Sequence, residues 1–198
     1  MDIKPVTLSG RYVRLEPLAY SHVPDLFAGG TDPAIWQYIP YPPVHTEADM
    51  RAWVDDLLAR QARGNDLPFA VVHQATGRAI GATRYMDIQR ANRAVEIGGT
   101  WYAPEHQRTA ANTEAKLLLL THAFETLGCI RVQLKTDERN VRSQRAIERI
   151  GAVKEGTLRH SVIMPDGFRR NSVYYSVLEA EWPAVKSRLE GMLSLNRV

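Results

Sequence analysis

The stretch that decides the fold is residues 107–128, which read Gln107-Arg-Thr-Ala-Ala-Asn-Thr-Glu-Ala-Lys-Leu-Leu-Leu-Leu-Thr-His-Ala-Phe-Glu-Thr-Leu-Gly128. Apolar side chains recur in it at helical spacing, and this periodicity predicts a helix with one buried face. The apolar positions are Leu117, Leu120, Phe124 and Leu127, widened by Leu118, Leu119 and Ala123. Gly128 follows the last of them, where a left-handed residue commonly ends a helix, and Asn112 is a candidate N-cap.

A strand-like run at residues 95–102 comes before this helix, separated from it by a loop of polar or small residues. The unit is therefore predicted to be strand, loop, buried helix and strand. Backbone N–H groups at a helix start lack intrahelical partners and lie at the positive end of the helix dipole, so such a loop is suited to bind an anion. Taken alone, the stretch favours the simpler interpretation of a capped core helix.

Composition indicates one folded domain spanning residues 1–198. Apolar residues make up 44% of the chain and charged residues 24%, which allows a packed core and argues against disorder. A net charge of +3 and a pI near 9.1 are too weakly basic to predict a nucleic-acid partner. They suit a small ligand that carries phosphate equally well.

Cysteine and histidine usage argues against disulfides and metal sites. Cys129 is the only cysteine, which excludes an internal disulfide and a cysteine-based zinc site, and the six histidines are scattered. No apolar run reaches membrane length and the first residues lack a signal segment, so we expect a soluble protein of the reducing cytoplasm without a membrane partner. The assembly state stays open between monomer and homodimer.

The order of elements predicts an α/β fold with a mixed sheet. Strand patterns lie at residues 12–17, 69–73, 80–86, 94–102, 130–136, 153–159 and 172–178. Residues 31–45 form an aromatic loop stiffened by four prolines, and they contain Trp36 and Tyr38. This loop is too apolar for an idle linker, and it either covers the core or forms one wall of a binding pocket.

Glu96 is the first candidate for chemistry. It alternates with Val95 and Ile97 along a predicted strand, so its carboxylate points to the other face of the sheet. Gly98 and Gly99 follow, and adjacent strand glycines indicate a bulge or the close approach of a ligand. The simpler alternative is a surface glutamate beside a flexible turn.

Asn140 and Ser143 are the next candidates, at the entry and first turn of a helix predicted over residues 141–150. Asn140 is explained by N-capping alone, whereas Ser143 shares the inward stripe with Ile147 and is a poor core filler. The sequence contains no Gly-x-x-x-x-Gly-Lys, His-Glu-x-x-His or Gly-x-Ser-x-Gly motif. Nucleotide hydrolysis, zinc proteolysis and serine-hydrolase chemistry therefore lack support.

Four segments together resemble the GNAT superfamily of acyl-CoA N-acetyltransferases, in the branch of the ribosomal-protein N-terminal (alanine/serine) acetyltransferases. They are residues 10–18, residues 96–104, residues 107–116 and residues 140–152, the last reading Asn140-Val-Arg-Ser-Gln-Arg-Ala-Ile-Glu-Arg-Ile-Gly-Ala. The resemblance implies a single α/β domain with a bent, mixed, mostly antiparallel sheet flanked by helices. It also implies that this sheet is splayed between its fourth and fifth strands, where coenzyme A inserts.

The resemblance also implies roles for individual residues. Glu96 would be the base that takes a proton from the acceptor amine, and Ser143 would bond the thioester sulfur or protonate the leaving thiolate. The cofactor-binding residues implied are Gly99, Thr100, Trp101, Tyr102, Gln107, Arg108, Thr109, Ala110, Ala111, Asn112, Thr113 and Asn140. Trp36, Tyr38 and Tyr85 are the candidate acceptor-binding residues, and no metal is implied.

The loop before the central helix departs from the family pattern. Family members usually carry Gly at the position of Ala110 and Gly or Ala at that of Asn112, so the affinity for coenzyme A is the property this departure affects. We expect acetyl-CoA as cofactor and a primary amine as acceptor, either a small molecule or a protein N-terminus. The alternative is a non-catalytic GNAT domain that binds acyl-CoA for regulation or scaffolding.

Overall fold

The computed structural model describes residues 1–195. Within that range the strands are β1 (Leu8–Ser9), β2 (Val13–Pro17), β3 (Leu67–His73), β4 (Ala79–Gln89), β5 (Ala94–Tyr102), β6 (Arg131–Asp137), β7 (Val153–Ile163) and β8 (Arg169–Leu178). The α-helices are α1 (Val23–Gly30), α2 (Pro33–Trp36), α3 (Glu47–Ala62), α4 (Ala110–Thr121), α5 (Val141–Arg149) and α6 (Trp182–Leu195). A π-helical turn, His122–Thr126, continues α4.

The strands form one mixed sheet in the order β1-β2-β3-β4-β5-β6-β8-β7. Only β5 and β6 are parallel neighbours within the described chain, because α4 carries the chain back across the sheet between them. Their pairing joins residues 94–96 to residues 131–133, although β5 continues to Tyr102 and β6 to Asp137. The two strands separate beyond Glu96, which confirms the predicted mixed sheet and its splay.

The ends of α4 show one wrong prediction and one correct one. Thr109, and not Asn112, is the N-cap, and its hydroxyl accepts a hydrogen bond from the Ala111 amide at 3.2 Å. Because alanine is the best helix former, the helix begins at Ala110, and Asn112 lies inside its first turn. At the other end Gly128 has a φ of +65°, as a left-handed cap requires.

Two apolar cores lie on opposite faces of the sheet. The first packs β2 to β6 and β8 against α4 and α6, and Leu119, Leu120 and Ala123 are its fully buried residues from α4 and the π-helical turn. The second packs α1, α2 and α3 against the sheet around three indole rings whose centroids lie 5.6 to 6.1 Å apart. They are Trp36, Trp53 and Trp101. The aromatic loop therefore covers a core at Trp36, while Tyr38 stays half-buried.

Glu114 joins α4 to the start of β2. Its buried carboxylate accepts hydrogen bonds from the amides of Arg11, Tyr12 and Val13 at 2.8, 2.6 and 2.7 Å. Three backbone donors on one carboxylate form a charge-assisted cluster, which is stronger than neutral hydrogen bonding. The orientation of α4 on the sheet is thus set by a side chain one turn from its N-terminus.

At the far edge β7 pairs only with β8, and its side chains are exposed over nearly its whole length. Across residues 1–195, none of the helices combines the length and apolar character needed to cross a membrane.

Candidate active site

The predicted bulge lies in β5 at the point where the sheet splays. Ala82 pairs with Trp101 and Arg84 pairs with Gly98, so β5 carries one extra residue between these two pairs. Gly99 has a φ of +58°, a conformation that favours glycine, and a Cβ there would lie 3.1 Å from Nε of Arg84. Since β6 has already diverged, this part of β5 faces the gap with one backbone edge that no strand covers.

The loop between β5 and α4 follows directly from the uncovered part of β5 and leads into the first turn of α4. Arg108 holds a left-handed φ of +61° and Thr109 is extended, which turns the chain sharply into the helix. Ala110 already has a helical conformation, so the change from Gly to Ala costs no backbone strain. The first amides of α4 are free of intrahelical partners and lie at the positive end of the dipole.

Helix α5 forms the opposite wall, beside the end of β6. Asn140 is its N-cap, and its side chain accepts a hydrogen bond from the Ser143 amide at 3.0 Å. Arg142 donates to Gln107 Oε1 at 2.9 Å and Arg149 donates to Thr113 Oγ1 at 3.0 Å. These two bonds bring α5 against the loop and first turn of α4, and we call the gap between β5 and β6 that α4 and α5 border the cleft.

Glu96 lies at the inner end of that cleft, on the face of β5 opposite α4. Its side chain is 1% exposed. Oε2 accepts a hydrogen bond from Gln133 Nε2 at 2.9 Å and forms an ion pair with Lys135 Nζ at 3.0 Å. Both partners lie on β6, and together they fix the orientation of the carboxylate.

The side chains around Glu96 form an acceptor face, which we define as Glu96, Lys135, Asp137, Arg170 and Tyr174. Lys135 pairs with Tyr174 in the sheet register, and its Nζ lies 5.8 Å from the centre of the Tyr174 ring. Burial opposes ionisation of Asp137, but hydrogen bonds from Arg139 outweigh it and lower the pKa of Asp137. The acceptor face therefore combines both signs of charge with a phenol.

Tyr38 forms one side of the acceptor face. Its carbonyl oxygen accepts a hydrogen bond from Arg170 Nη1 at 2.9 Å, and the Arg139 guanidinium lies 5.7 Å from its ring centre. The same guanidinium lies 3.8 Å from the ring centre of Phe168, in the turn between β7 and β8. The aromatic loop thus contacts β8 through Arg170 and the segment that follows β6 through Arg139.

The other two candidate acceptor residues lie in the interior. Tyr85 is fully buried, and its hydroxyl donates to the carbonyl of Leu119 at 2.6 Å. Trp36 is buried as well, and its indole donates to the carbonyl of Gly30 at 2.8 Å. Both rings pack in the apolar cores, and their polar atoms are already bonded to main-chain carbonyls.

Several residues of the site were not identified from the sequence. Gln133 and Lys135 lie in the strand predicted over residues 130–136 without a role of their own, and the sequence does not single out Asp137 or Arg170. Alternation places residues 133, 135 and 137 on the face of Glu96, but a single sequence does not reveal that β6 lies next to β5 there. Parallel neighbours are separated in sequence by a whole helix, so their pairing has no local signal.

A metal site receives no support in the described part of the chain. No group of three or more His, Cys, Asp or Glu side chains among residues 1–195 is arranged to hold a metal ion. Cys129 is buried and reduced, and burial raises the pKa of its thiol to about 11. The arrangement instead offers a carboxylate, an uncovered backbone edge and a helix start whose first amides lack intrahelical partners.

Comparison with known proteins identifies the family. Residues 13–153 match the acetyltransferase (GNAT) domain family. A T. thermophilus protein whose structure was solved as that of an acetyltransferase is 41% identical, with a TM-score of 0.89 over 98% of this chain and 100% of that one. RimJ from Mycobacterium smegmatis, solved in complex with CoA-disulfide, shares the fold at 20% identity, with a TM-score of 0.82 over 95% of each chain.

A curated relative is YdaF from Bacillus subtilis (strain 168), which is named as a ribosomal N-acetyltransferase. It is 34% identical over 110 residues, which span 56% of this chain and 59% of YdaF. The family match covers well over half of the chain and includes β2 to α5 with the whole cleft between α4 and α5. The chain therefore belongs to the GNAT family of acetyltransferases.

Proposed function

We propose that this protein transfers the acetyl group of acetyl-CoA to the α-amino group at the N-terminus of a ribosomal protein. The observation that carries the proposal is the position of Glu96, a buried carboxylate held by Gln133 and Lys135 where β5 and β6 separate. The name of YdaF supports a ribosomal acceptor. This acceptor belongs to the broader class of primary amines, which also includes amines of other proteins and of small molecules.

The cleft fits the cofactor on three observations. The uncovered edge of β5 beyond Glu96 can pair with the amides of the pantetheine arm, with Gly99, Thr100, Trp101 and Tyr102 along it. Within residues 107–113, the first amides of α4 suit a diphosphate, since they lack intrahelical partners and lie at the positive end of the helix dipole. Asn140 lies at the end of the opposite wall, where it can fix the pantetheine. When bound, acetyl-CoA supplies the activated acetyl group.

Glu96 acts on the acceptor in this proposal. An α-amino group with a pKa near 8 arrives largely as an ammonium at neutral pH, and it must lose a proton before its lone pair can attack. The carboxylate of Glu96 accepts that proton, directly or through a water molecule. Because Lys135 and Gln133 both bond Oε2, Oε1 is the oxygen left for the acceptor.

Transfer is completed when the new C–N bond forms and the C–S bond breaks, and the thiolate then takes up a proton. Ser143 is the proposed donor on the α5 side of the cleft. Its amide is occupied by the N-cap bond, and its half-buried side chain lies in the first turn of α5. Tyr174 on the acceptor face is the second candidate for this proton transfer.

The competing function is a GNAT domain that binds acyl-CoA without turnover. Such a domain would bind acyl-CoA in the cleft but would not need an oriented carboxylate. Here the carboxylate of Glu96 is oriented by Gln133 and Lys135, which favours catalysis. The deciding experiment incubates the protein with acetyl-CoA and synthetic peptides that carry ribosomal-protein N-termini, and follows thiol release and peptide mass. Acetylated peptide at a rate that depends on Glu96 supports the proposal. Binding of acetyl-CoA with no acetylation of any peptide or amine supports the alternative.

A further inference from the structure

Arg170 is the cation of the acceptor face that has no anion of its own. Lys135 forms an ion pair with Glu96. The guanidinium of Arg139 bonds both carboxylate oxygens of Asp137. Across residues 1–195, no carboxylate oxygen lies within ion-pairing distance of the Arg170 guanidinium. Arg170 is only 5% exposed, and buried arginines are normally paired, so its position calls for a function.

Two hydrogen bonds fix the Arg170 guanidinium on the face of the sheet that carries Glu96. Nε donates to Ser172 Oγ at 3.1 Å, and Nη1 donates to the carbonyl oxygen of Tyr38 at 2.9 Å. The bond to Ser172 turns the side chain along β8, toward the residues of this strand that pair with β6. Alternation puts residues 170, 172 and 174 on one face, together with their register neighbours 135 and 137 on β6.

One nitrogen of this guanidinium is left for a ligand. An arginine has five N–H donors, and the bonds to Ser172 and Tyr38 use two of them. Nη2 has no hydrogen-bond acceptor among residues 1–195, and it does not belong to the unpartnered side-chain atoms that are shielded from solvent. An unpaired donor that solvent reaches, on a side chain held so firmly, is suited to bind an incoming oxygen atom.

The charges around Arg170 favour a neutral oxygen ligand. Burial lowers the pKa of Arg170, and the nearby carboxylates of Asp137 and Glu96 oppose that change, so the guanidinium stays protonated. Both carboxylates thus lie within electrostatic range of Arg170. A carbonyl oxygen can accept from Nη2 without bringing a third negative charge to this face.

The acceptor proposed above carries such an oxygen next to its amine. In the first residue of a peptide the carbonyl oxygen lies about 3 Å from the amine nitrogen, because only Cα and the carbonyl carbon separate them. The side-chain amine of a lysine and the amines of a polyamine have no oxygen at that distance. When the amine is held at Oε1 of Glu96, this carbonyl is the nearest polar group of the peptide that Arg170 could bind.

We propose that Arg170 is a specificity-determining residue, whose Nη2 donates a hydrogen bond to the main-chain carbonyl oxygen of the acceptor's first residue. The inference rests on the proposed transfer to a protein N-terminus, and it names the group that distinguishes this acceptor from other primary amines. Ser172 and Tyr38 hold the donor in place before the acceptor binds, so little further ordering is required.

The test compares two peptides that differ only in the position of the first carbonyl. One begins with alanine and the other with β-alanine, in which an additional main-chain carbon separates the amine from the carbonyl. The value of kcat/KM is measured for each at saturating acetyl-CoA. We expect the wild type to prefer the alanine peptide. Arg170→Met should lower kcat/KM for the alanine peptide by roughly tenfold or more, since the lost hydrogen bond has a charged donor. The value for the β-alanine peptide should fall several times less.

Two further variants complete the design. Arg169→Met removes the neighbouring arginine, which is exposed, and should leave both values unchanged. Arg170→Lys keeps a positive charge at the buried position, so it tests the inference even if Arg170→Met does not fold. A single ammonium does not reproduce the separate donor positions of the guanidinium, so the ratio of the two values should fall in this variant as well. Thermal unfolding and calorimetric binding of coenzyme A show that each variant is folded.

A ratio that stays unchanged in both Arg170 variants overturns the inference, whether the two values fall together or not at all. Falling together would mean that Arg170 only supports the aromatic loop at Tyr38. A wild type that acetylates both peptides equally well overturns the inference too, and leaves the proposed function standing. A wild type that acetylates neither peptide contradicts the proposed function and the inference with it.

Discussion

Nζ of Lys135 lies 3.0 Å from Oε2 of Glu96, beside the last pair of residues before β5 and β6 part. The two side chains come from different halves of the sheet, one before α4 and one after it. The carboxylate is therefore oriented only when the two halves are joined in this register. This links the integrity of the sheet at the β5–β6 junction to the orientation of Glu96.

Glu96→Gln should lower kcat by roughly 10²- to 10⁴-fold, because loss of a general base typically has an effect of that size. Affinity for acetyl-CoA should stay nearly unchanged, since the carboxylate acts on the acceptor. Steady-state rates at saturating peptide and calorimetric binding of coenzyme A measure the two quantities. Glu179→Gln, a change at an exposed glutamate, is the matched control. Full activity of Glu96→Gln at neutral pH would show that Glu96 is structural.

Lys135→Met should destabilise the protein, because it leaves a buried carboxylate with Gln133 as its remaining partner. Breaking a buried ion pair from one side typically costs about 3–5 kcal/mol, and Lys135 is partly exposed, so we expect a smaller value. Combining it with Glu96→Gln should cost less than the sum of the single changes. Denaturant unfolding of the four proteins gives the coupling, and strictly additive values would mean that the pair is not energetically linked.

Ser143→Ala should reduce activity less than Glu96→Gln, with the loss shared between kcat and the KM for acetyl-CoA. A serine is a weak acid, so its hydroxyl contributes mainly a hydrogen bond to sulfur. Tyr174→Phe tests the alternative donor at saturating acceptor. Tyr175→Phe is the control, since the Tyr175 ring is buried and its hydroxyl donates to Glu148 at 3.0 Å on α5. A Tyr174→Phe variant much slower than Ser143→Ala would reassign the acid.

Lys116→Met should change how stability depends on pH when no cofactor is present. The folded-state pKa of Lys116 is about 7, below its ordinary value of 10.5. Between these values the unfolded chain binds more protons than the folded protein, so the stability of the wild type rises with pH across this window. The slope is at most about 1.4 kcal/mol per pH unit. The variant lacks this contribution, so its unfolding free energy should rise less between pH 7 and 9. Parallel curves for both proteins would contradict the buried neutral amine.

Glu114→Gln should weaken the anchor between α4 and β2. An amide keeps one acceptor oxygen but loses the charge, and hydrogen bonds to charged groups contribute about 1.5–3 kcal/mol each. We expect a lower unfolding midpoint with the denaturant slope unchanged. The exposed Glu190→Gln on α6 is the control. A midpoint equal to that of the wild type would show that the three short bonds to Glu114 contribute no net stability.

The family could be predicted from the sequence, and so could the segments that border the candidate site, because each segment is local. Glu96 with its two glycines, the small residues before α4, and Asn140 with Ser143 each form a short segment whose geometry follows from neighbouring residues. The partners of Glu96 could not be predicted, since Lys135 reaches it only through the pairing of two strands distant in sequence. The resemblance also suggests Tyr85 as an acceptor-binding residue. In the structure Tyr85 lies on an apolar strand, and its buried hydroxyl donates to the carbonyl of Leu119 on α4.

The N-cap of α4 could not be predicted for a different reason. Asn112 has the chemistry of an N-cap, and so does Thr109, and both precede the apolar stripe. The two intervening alanines decide between them. Because alanine loses no side-chain entropy in a helix, α4 begins at Ala110 and Thr109 becomes its N-cap.

The sheet has two parts, which we call plates, joined by a seam of three residue pairs at residues 94–96 and 131–133. The plate from β1 to β5 rests on α1 and α3, and the plate from β6 to β8 carries α5 and α6. In the placement proposed above, the pantetheine arm adds main-chain hydrogen bonds beyond the last of these pairs and so extends the contact between the two plates. The acetyl donor is then also a structural part of the molecule, and amides on both sides of the seam should exchange with solvent most slowly while it is bound.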